Sequence, residues 1–402
     1  MAAALPAARL SASFSRSGPA VESLAARSGN MPSPQRVSGP VAAPASVEQC
    51  PLVARAGDRI SRLPTEPPMD LPRTVEPAET TDAPATPRER VAALADSLQA
   101  GLVGHAALVE RLLIALLAGG HLLVEGAPGL AKTRAVKRLA DGLEASFARI
   151  QCTPDLMPAD LTGTPVWRPD RGVFEFVAGP VFHSLLLVDE INRAPPKVQS
   201  ALLEAMAEQQ VTAGGVTHPL PDPFMVVATQ NPIEHEGTFP LPEAQLDRFL
   251  FHVAVGFPDA VAERGILDLV ERERDAPATA APRRLSVAEI HAARTEAMQV
   301  HLAPALKDYV VRLVMATRDG SAGDDVRAAI EHPVSPRGTL SLAASARARA
   351  YLHGRAYATP EDVAVLAGDI LAHRLGLTWR ATAEGETPRG VVARLVERVV
   401  PL

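Results

Sequence analysis

The segment Leu122-Leu-Val-Glu-Gly126-Ala127-Pro128-Gly129-Leu130-Ala131-Lys132-Thr133 narrows the choice of fold more than any other part of the chain. A short apolar run, Leu122 to Val124, reads as a buried strand. Beyond the turn, Val136, Leu139, Ala140 and Leu143 fall on one face of a helix. Strand, glycine-containing turn, Lys-Thr and helix form the setting of a phosphate-binding loop. Such a turn presents backbone N–H groups at the positive end of a helix, so residues 126–133 can hold a polyphosphate. Lys132 is placed to neutralise the β- and γ-phosphates of ATP, and the Thr133 hydroxyl to join the shell of a Mg²⁺ ion. The usual last glycine is Ala131, a departure that a nearly glycine-sized site tolerates.

Two further observations set this segment apart from an ordinary strand-to-helix turn. Of 40 basic residues only Lys132, Lys137, Lys197 and Lys307 are lysine. A chain that writes arginine almost everywhere keeps the compact, flexible ammonium at the motif position, where a planar guanidinium does not substitute for it. Downstream, Leu185-Leu-Leu-Val-Asp189-Glu190 is a buried strand that ends in paired acids, at the distance expected of the next element of a nucleotide site.

At 402 residues the chain has room for two domains. A net charge of −6 gives no overall attraction to nucleic acid or anionic lipid. Cys50 and Cys152 lie far apart without His or Cys at ligand spacing, which predicts free thiols in a reducing, cytoplasmic setting and no zinc. No apolar run approaches the roughly 18 residues a membrane span needs.

Residues 1–87 hold 14 of the 37 prolines and a single aromatic, Phe14, a composition that predicts a disordered leader. It reads as a flexible tail or as a stretch absent when translation starts at Met31 or Met69. The Ser-, Ala- and Arg-rich first thirty residues leave a transit peptide as a third account. A core is expected over 88–275, with helices at 88–100 and from His105 through Leu117 and strands at 147–151, 224–229 and 249–255. β-Hairpins are expected around Arg168–Gly172 and Gly214-Gly215, and a helix at 195–210. Strands that alternate with helices and run nearly continuously apolar predict an α/β fold with a parallel sheet. An Ala- and Pro-rich linker, 275–284, precedes a separate small helical domain over 285–402. Its helices are expected at 287–297, 303–317, 337–353 and 361–375, with Thr359-Pro-Glu-Asp362 as a start signal. The amphipathic 391–400 segment is expected to pack back on a neighbour.

Four segments, "GAPGLAKT", "LLLVDEINRAPPKVQSALLEAM", "VVATQNPIEHEGTFPLPEAQLDRF" and "SPRGTLSLAASARARA", occur in this order. As a set they resemble the MoxR family of AAA+ ATPases over about residues 88–402. The resemblance implies a P-loop NTPase core with inserted hairpins, an all-α lid, ATP and Mg²⁺ as cofactors, and a homo-oligomeric ring, usually a hexamer. It implies client proteins as partners, often with a von Willebrand factor A domain. By position, Asp189 would hold Mg²⁺ through water and Glu190 would orient and deprotonate the attacking water. Asn231 would lie beside the same water. Arg248 would be the arginine finger offered to the adjacent subunit, and Arg337 the lid arginine, acting on its own nucleotide or a neighbour's. For Arg248 the bland alternative is a solvated arginine paired with Asp247 or Glu243. His105 would stand near the adenine.

A nucleic-acid motor and a non-hydrolysing nucleotide-bound scaffold are the competing functions. The first is disfavoured because residues 155–178 set Arg168 and Arg171 against Asp155, Asp160, Asp170 and Glu175, and 211–219 contain no Lys or Arg. The second is disfavoured because a scaffold has no need of Glu190, Asn231 and Arg248 together.

Overall fold

The computed structural model describes residues 85–232, 237–275 and 283–401. The expected leader lies outside them except for its last residues, as does most of the 275–284 linker.

Thr86 caps helix α1 (Pro87–Gly101): its hydroxyl accepts from the Glu89 N–H, and the Glu89 carboxylate accepts from the Thr86 N–H. Helix α2 (Ala106–Ala118) is apolar on nearly every side and buried accordingly. Strand β1 (Leu122–Gly126), helix α3 (Lys132–Asp141) and strand β2 (Phe147–Gln151) follow. A short helix α4 (Pro158–Thr162) leads into a hairpin of β3 (Gly163–Arg168) and β4 (Val173–Ala178). Strand β5 (Leu185–Asp189) and helix α5 (Pro196–Glu208) come next. A second hairpin, β6 (Gln210–Ala213) and β7 (Val216–Pro219), precedes β8 (Met225–Gln230), the helical turn α6 (Glu243–Leu246) and β9 (Phe251–Val255).

The five core strands form one parallel sheet in the order β2-β5-β8-β1-β9. Leu123, Leu186, Val188, Val226 and Ala228 point to one face, with Val198, Leu202 and Met206 of α5. Leu122, Val124, Leu185, Leu187 and Val227 point to the other, with α1, α2 and α3. The split follows the two-residue period of a strand. Because the strands are parallel, the loops after β1, β5 and β8 leave the same edge side by side, where an α/β sheet binds ligands.

One helix was not read from the sequence. On α7 (Ala260–Asp275) none of the described residues is fully buried: Ala262, Gly265, Ile266 and Leu269 make a half-buried inward face, while Val261 and Leu267 lie largely exposed and blur the apolar stripe.

The remaining helices are α8 (Val287–Gln299), α9 (Pro304–Asp319), α10 (Asp324–Ala329), α11 (Pro336–Leu352), α12 (Pro360–Leu371), α13 (Trp379–Ala383) and α14 (Pro388–Arg398). These helices pack against the first part of the chain: α8 and α11 lie on α2, and one apolar cluster runs from the sheet through α2 to α11, α12 and α14. The reason is the all-round apolar surface of α2, which buries one side on the sheet and the other on the lid helices. Val391, Val392 and Leu395 of α14 pack back against α12.

A buried charge centre fastens the lid helices. The Asp362 carboxylate, fully buried, accepts from Arg349 (2.6 Å), from both Nη atoms of Arg355 (2.7 and 2.6 Å) and from the N–H and hydroxyl of Thr359. Burial pushes its pKa up, but the bonds from Arg355, Thr359 and Arg349 outweigh it and leave the group at about 2. A carboxylate held below its unfolded value of 3.8 contributes stability that is complete above that value and lost as pH falls towards 2. Asp362→Asn leaves two arginines without their counter-charge and is expected to cost about 3 kcal/mol at neutral pH. Denaturant melts from pH 7 to 2.5 should show the variant's deficit shrinking as the wild type loses its own carboxylate; a deficit independent of pH would contradict this origin.

Candidate active site

Helix α3 starts at Lys132, so the turn from Gly126 to Ala131 faces its N-terminal N–H groups. Gly126 is fixed by proximity, since a Cβ there would lie 2.8 Å from the Val255 carbonyl of β9. Gly129 is fixed by conformation, with φ +85°. Ala131 also takes a left-handed backbone, φ +53°, which explains why glycine is usual there and shows that alanine is accommodated. The Lys132 ammonium donates to the carbonyls of Gly126 and Gln230, bridging the ends of β1 and β8. The Thr133 hydroxyl lies 3.4 Å from each Asp189 oxygen.

At the end of β5, Glu190 adopts φ +58°, a strained backbone for a residue with a side chain. Thr229 of β8 holds this turn: its hydroxyl accepts from the Glu190 N–H at 3.0 Å and donates to Asp189 Oδ1 at 3.1 Å. The Glu190 carboxylate lies 3.2 Å from Arg193 Nε. Asn231 is buried at the end of β8. A cation reaches Asp189 from β2, where Arg149 Nε donates to Oδ2 at 2.7 Å. Cys152 lies close by, and burial together with the Asp189 and Glu190 carboxylates pushes its thiol up to about 12, which leaves it a poor nucleophile.

Beside the loop lies a cavity of about 270 Å³, lined by Pro128, Leu130, Ala131, His105, Phe257 and Val270 among others. Burial lowers the pKa of His105, so a neutral imidazole faces the cavity. Helix α7 forms its far wall and is tied to α3 by Glu273, which accepts from Arg134 at 2.6 Å and from Arg138.

The other two expected residues lie elsewhere. Arg248 and Arg337 line a second cavity, of about 360 Å³, together with Asp247, Arg374 and His121, and none of residues 126–133 lines it. Arg248 donates to the Leu203 carbonyl at 3.0 Å rather than pairing with Asp247 or Glu243. Asp247 instead receives Arg374 at 2.9 Å, the Ser335 hydroxyl at 3.2 Å and Arg337 at 3.4 Å, which joins the start of α11 to the turn that carries Arg248. Burial drops the Arg374 guanidinium to about 10, against the opposing pull of Asp247. Its side chain is nearly inaccessible, an anchor for the turn rather than a reagent.

Thus Lys132, Thr133, Asp189, Glu190 and Asn231 gather at one edge of the sheet, and Arg248 and Arg337 gather at another cavity. Sequence reasoning missed Thr229, Arg149 and α7. Signals for the first two were present: a hydroxyl at the end of an apolar strand, and a charge in the middle of Phe147-Ala-Arg149-Ile-Gln151.

Comparison with known proteins bears on the family and the fold. Residues 121–251 match the model of the ATPase family associated with various cellular activities (AAA), and residues 323–395 that of the AAA lid domain. Chaperone MoxR1 of Mycobacterium tuberculosis is 47% identical over 300 residues, which cover 74% of this chain and 78% of that protein. Protein MoxR of Paracoccus denitrificans is 34% identical, over 70% of this chain and 87% of its own. A crystal structure from Cytophaga hutchinsonii, assigned as an ATPase, superimposes with a TM-score of 0.73 at 40% identity and covers 79% of this chain and 96% of its own. With a parallel-sheet core, an AAA lid and this identity over most of its length, the chain belongs to the MoxR family of AAA+ ATPases.

Proposed function

We propose that the protein hydrolyses ATP with Mg²⁺ as part of a cytoplasmic homo-oligomeric ring, a hexamer by family habit, and uses the cycle to remodel client proteins or assist their maturation. The observation that carries this reading is the separation of the two groups of residues. The sheet edge holds a phosphate loop, two acids and a buried amide, while the cations suited to a developing phosphate charge open on a different cavity. Such a site is completed by a second copy.

The residues fit a Mg²⁺-nucleotide. The N–H groups of the turn and Lys132 hold phosphate, Thr133 and Asp189 hold the ion, and His105 with Leu130 and Phe257 offers an apolar rim for a base. Bound Mg²⁺ supplies neutralisation of the phosphate oxygens. Glu190, released from Arg193, orients and deprotonates the attacking water, and Asn231 holds that water in line. Arg248 and Arg337 of the adjacent copy stabilise the charge that develops on the γ-phosphate. On this reading Arg337 acts in trans, which is supported by a cavity that none of residues 126–133 lines.

A protein client fits the inserted hairpin better than nucleic acid does. Trp167 and Phe174 pair across the strands at 5.1 Å and remain 50% and 70% exposed, with Val166 and Val173 exposed beside them. Both arginines of this hairpin are engaged, Arg168 by Glu175 and Arg171 by Asp170. The test compares ATPase stimulation by a von Willebrand factor A-domain protein, by DNA and by RNA. A Trp167→Ser, Phe174→Ser double variant is expected to keep its basal rate and lose stimulation by protein. Stimulation by nucleic acid alone, unchanged in that variant, would overturn the client reading.

A further inference from the structure

Strand β2 forms the edge of the sheet next to β5, with Arg149 opposite Leu187. Its guanidinium extends to the end of β5 and donates to Asp189 Oδ2 at 2.7 Å. The Arg149 side chain is 52% exposed, whereas the Asp189 side chain is 7% exposed. Asp189 also accepts the hydroxyls of Thr229 and Thr133, so three elements converge on one carboxylate and Arg149 brings the only full charge among the three donors.

We propose that Arg149 sets the metal requirement of this site: it is a built-in counter-ion for Asp189 that Mg²⁺ has to displace. The proposal rests on the reading of Thr133 and Asp189 as the residues that hold the ion. Charge carries the argument. A guanidinium and a divalent cation that share one carboxylate repel each other at a few ångströms, and the repulsion is strongest where that carboxylate is buried. Exposure shows that displacement is feasible. Arg149 lies on an edge strand with half its side chain in solvent, so it can turn away without burying a charge, which the anchored Arg374 cannot do. Nor does the fold depend on the pair. Backbone bonds already join β2 to β5 over all five residues, and a half-exposed ion pair adds little to stability. Arg149 thus raises the Mg²⁺ concentration at which nucleotide is held tightly, and keeps Asp189 neutralised below it.

The test is ATP binding, followed by titration calorimetry at graded Mg²⁺ in a Glu190→Gln background, where turnover does not interfere. Adding Arg149→Gln or Arg149→Ala should lower the Mg²⁺ concentration that gives half-maximal tightening by roughly threefold to tenfold. Arg149→Lys, which keeps the charge, should stay near the parent, and the melting temperatures of all three should match it. Asp189→Asn with Arg149 intact is the control and should remove most of the Mg²⁺ dependence. If that control leaves the dependence unchanged, the assignment of Asp189 to the metal is wrong and the counter-ion role falls with it. If the control behaves as expected but Arg149→Gln leaves the Mg²⁺ midpoint unchanged or raises it, the counter-ion role alone is overturned. Weaker ATP binding at every Mg²⁺ concentration with an unmoved midpoint would make Arg149 a phosphate contact, and overturns it equally.

Discussion

Glu190→Gln is expected to bind ATP as the wild type does while losing turnover by about 10²–10⁴-fold, the usual contribution of a positioned general base. The substitution keeps the size of the side chain and leaves untouched the N–H that Thr229 accepts, so the turn at φ +58° should persist. It also leaves the phosphate loop on β1 intact, which is why binding and chemistry separate. Lys132→Ala should show the converse and lose nucleotide affinity first, because its ammonium stands at the mouth of the loop, between the ends of β1 and β8. The comparison needs two measurements per variant: equilibrium binding of a fluorescent ATP analogue and steady-state phosphate release. Equal ATP binding by Lys132→Ala and wild type would remove the phosphate-loop assignment, and near-normal turnover by Glu190→Gln would remove the base.

Arg248→Ala should bind ATP normally and hydrolyse it about 10³-fold more slowly or worse, the scale of an arginine supplied from outside the site. Its position makes the prediction sharper than a simple loss. Arg248 opens on the cavity shared with Arg337 and Arg374, away from the phosphate loop of its own chain. On the proposed reading, a variant lacking Arg248 and a variant lacking Glu190 would damage opposite sides of an interface between copies. Mixing Arg248→Ala with Glu190→Gln should restore part of the rate, since some interfaces then pair an intact Glu190 with an intact Arg248. The specific rate of the wild type should also climb with protein concentration as copies assemble. Mixed assemblies that form, as judged by differently tagged subunits, yet recover no activity would refute the trans role, as would a fully active dilute monomer.

The parts of this site that were legible in the sequence are those whose chemistry lies in a contiguous stretch. Leu122–Thr133 carries its own strand, turn and helix, and the spacing alone places Lys132 and Thr133 at a helix N-terminus. Leu185–Glu190 likewise states a buried strand and the two acids at its end. The helix start at Thr359 was legible for the same reason, since a cap and its acidic partner are three residues apart.

Contacts between distant segments were decided by tertiary structure. Thr229 meets Asp189 because β8 pairs with β5, a register that follows from which apolar faces pack and not from either strand alone. Arg149 becomes a partner of Asp189 only because β2 is the next strand outward. α7 left only a blurred mark, because its inward residues are half-buried and apolar Val261 and Leu267 face outward, yet it walls the cavity beside the phosphate loop. The placement of Arg337 is the clearest case: its motif named the residue but not the residues it would join. Asp247, 90 residues earlier in the chain, holds it in the cavity of Arg248. Local sequence therefore determined the phosphate loop and the acids, since a turn or cap needs only its neighbours. Packing decided where the arginines open, because Arg248 is held by the Leu203 carbonyl and Arg337 by Asp247, partners distant in the chain.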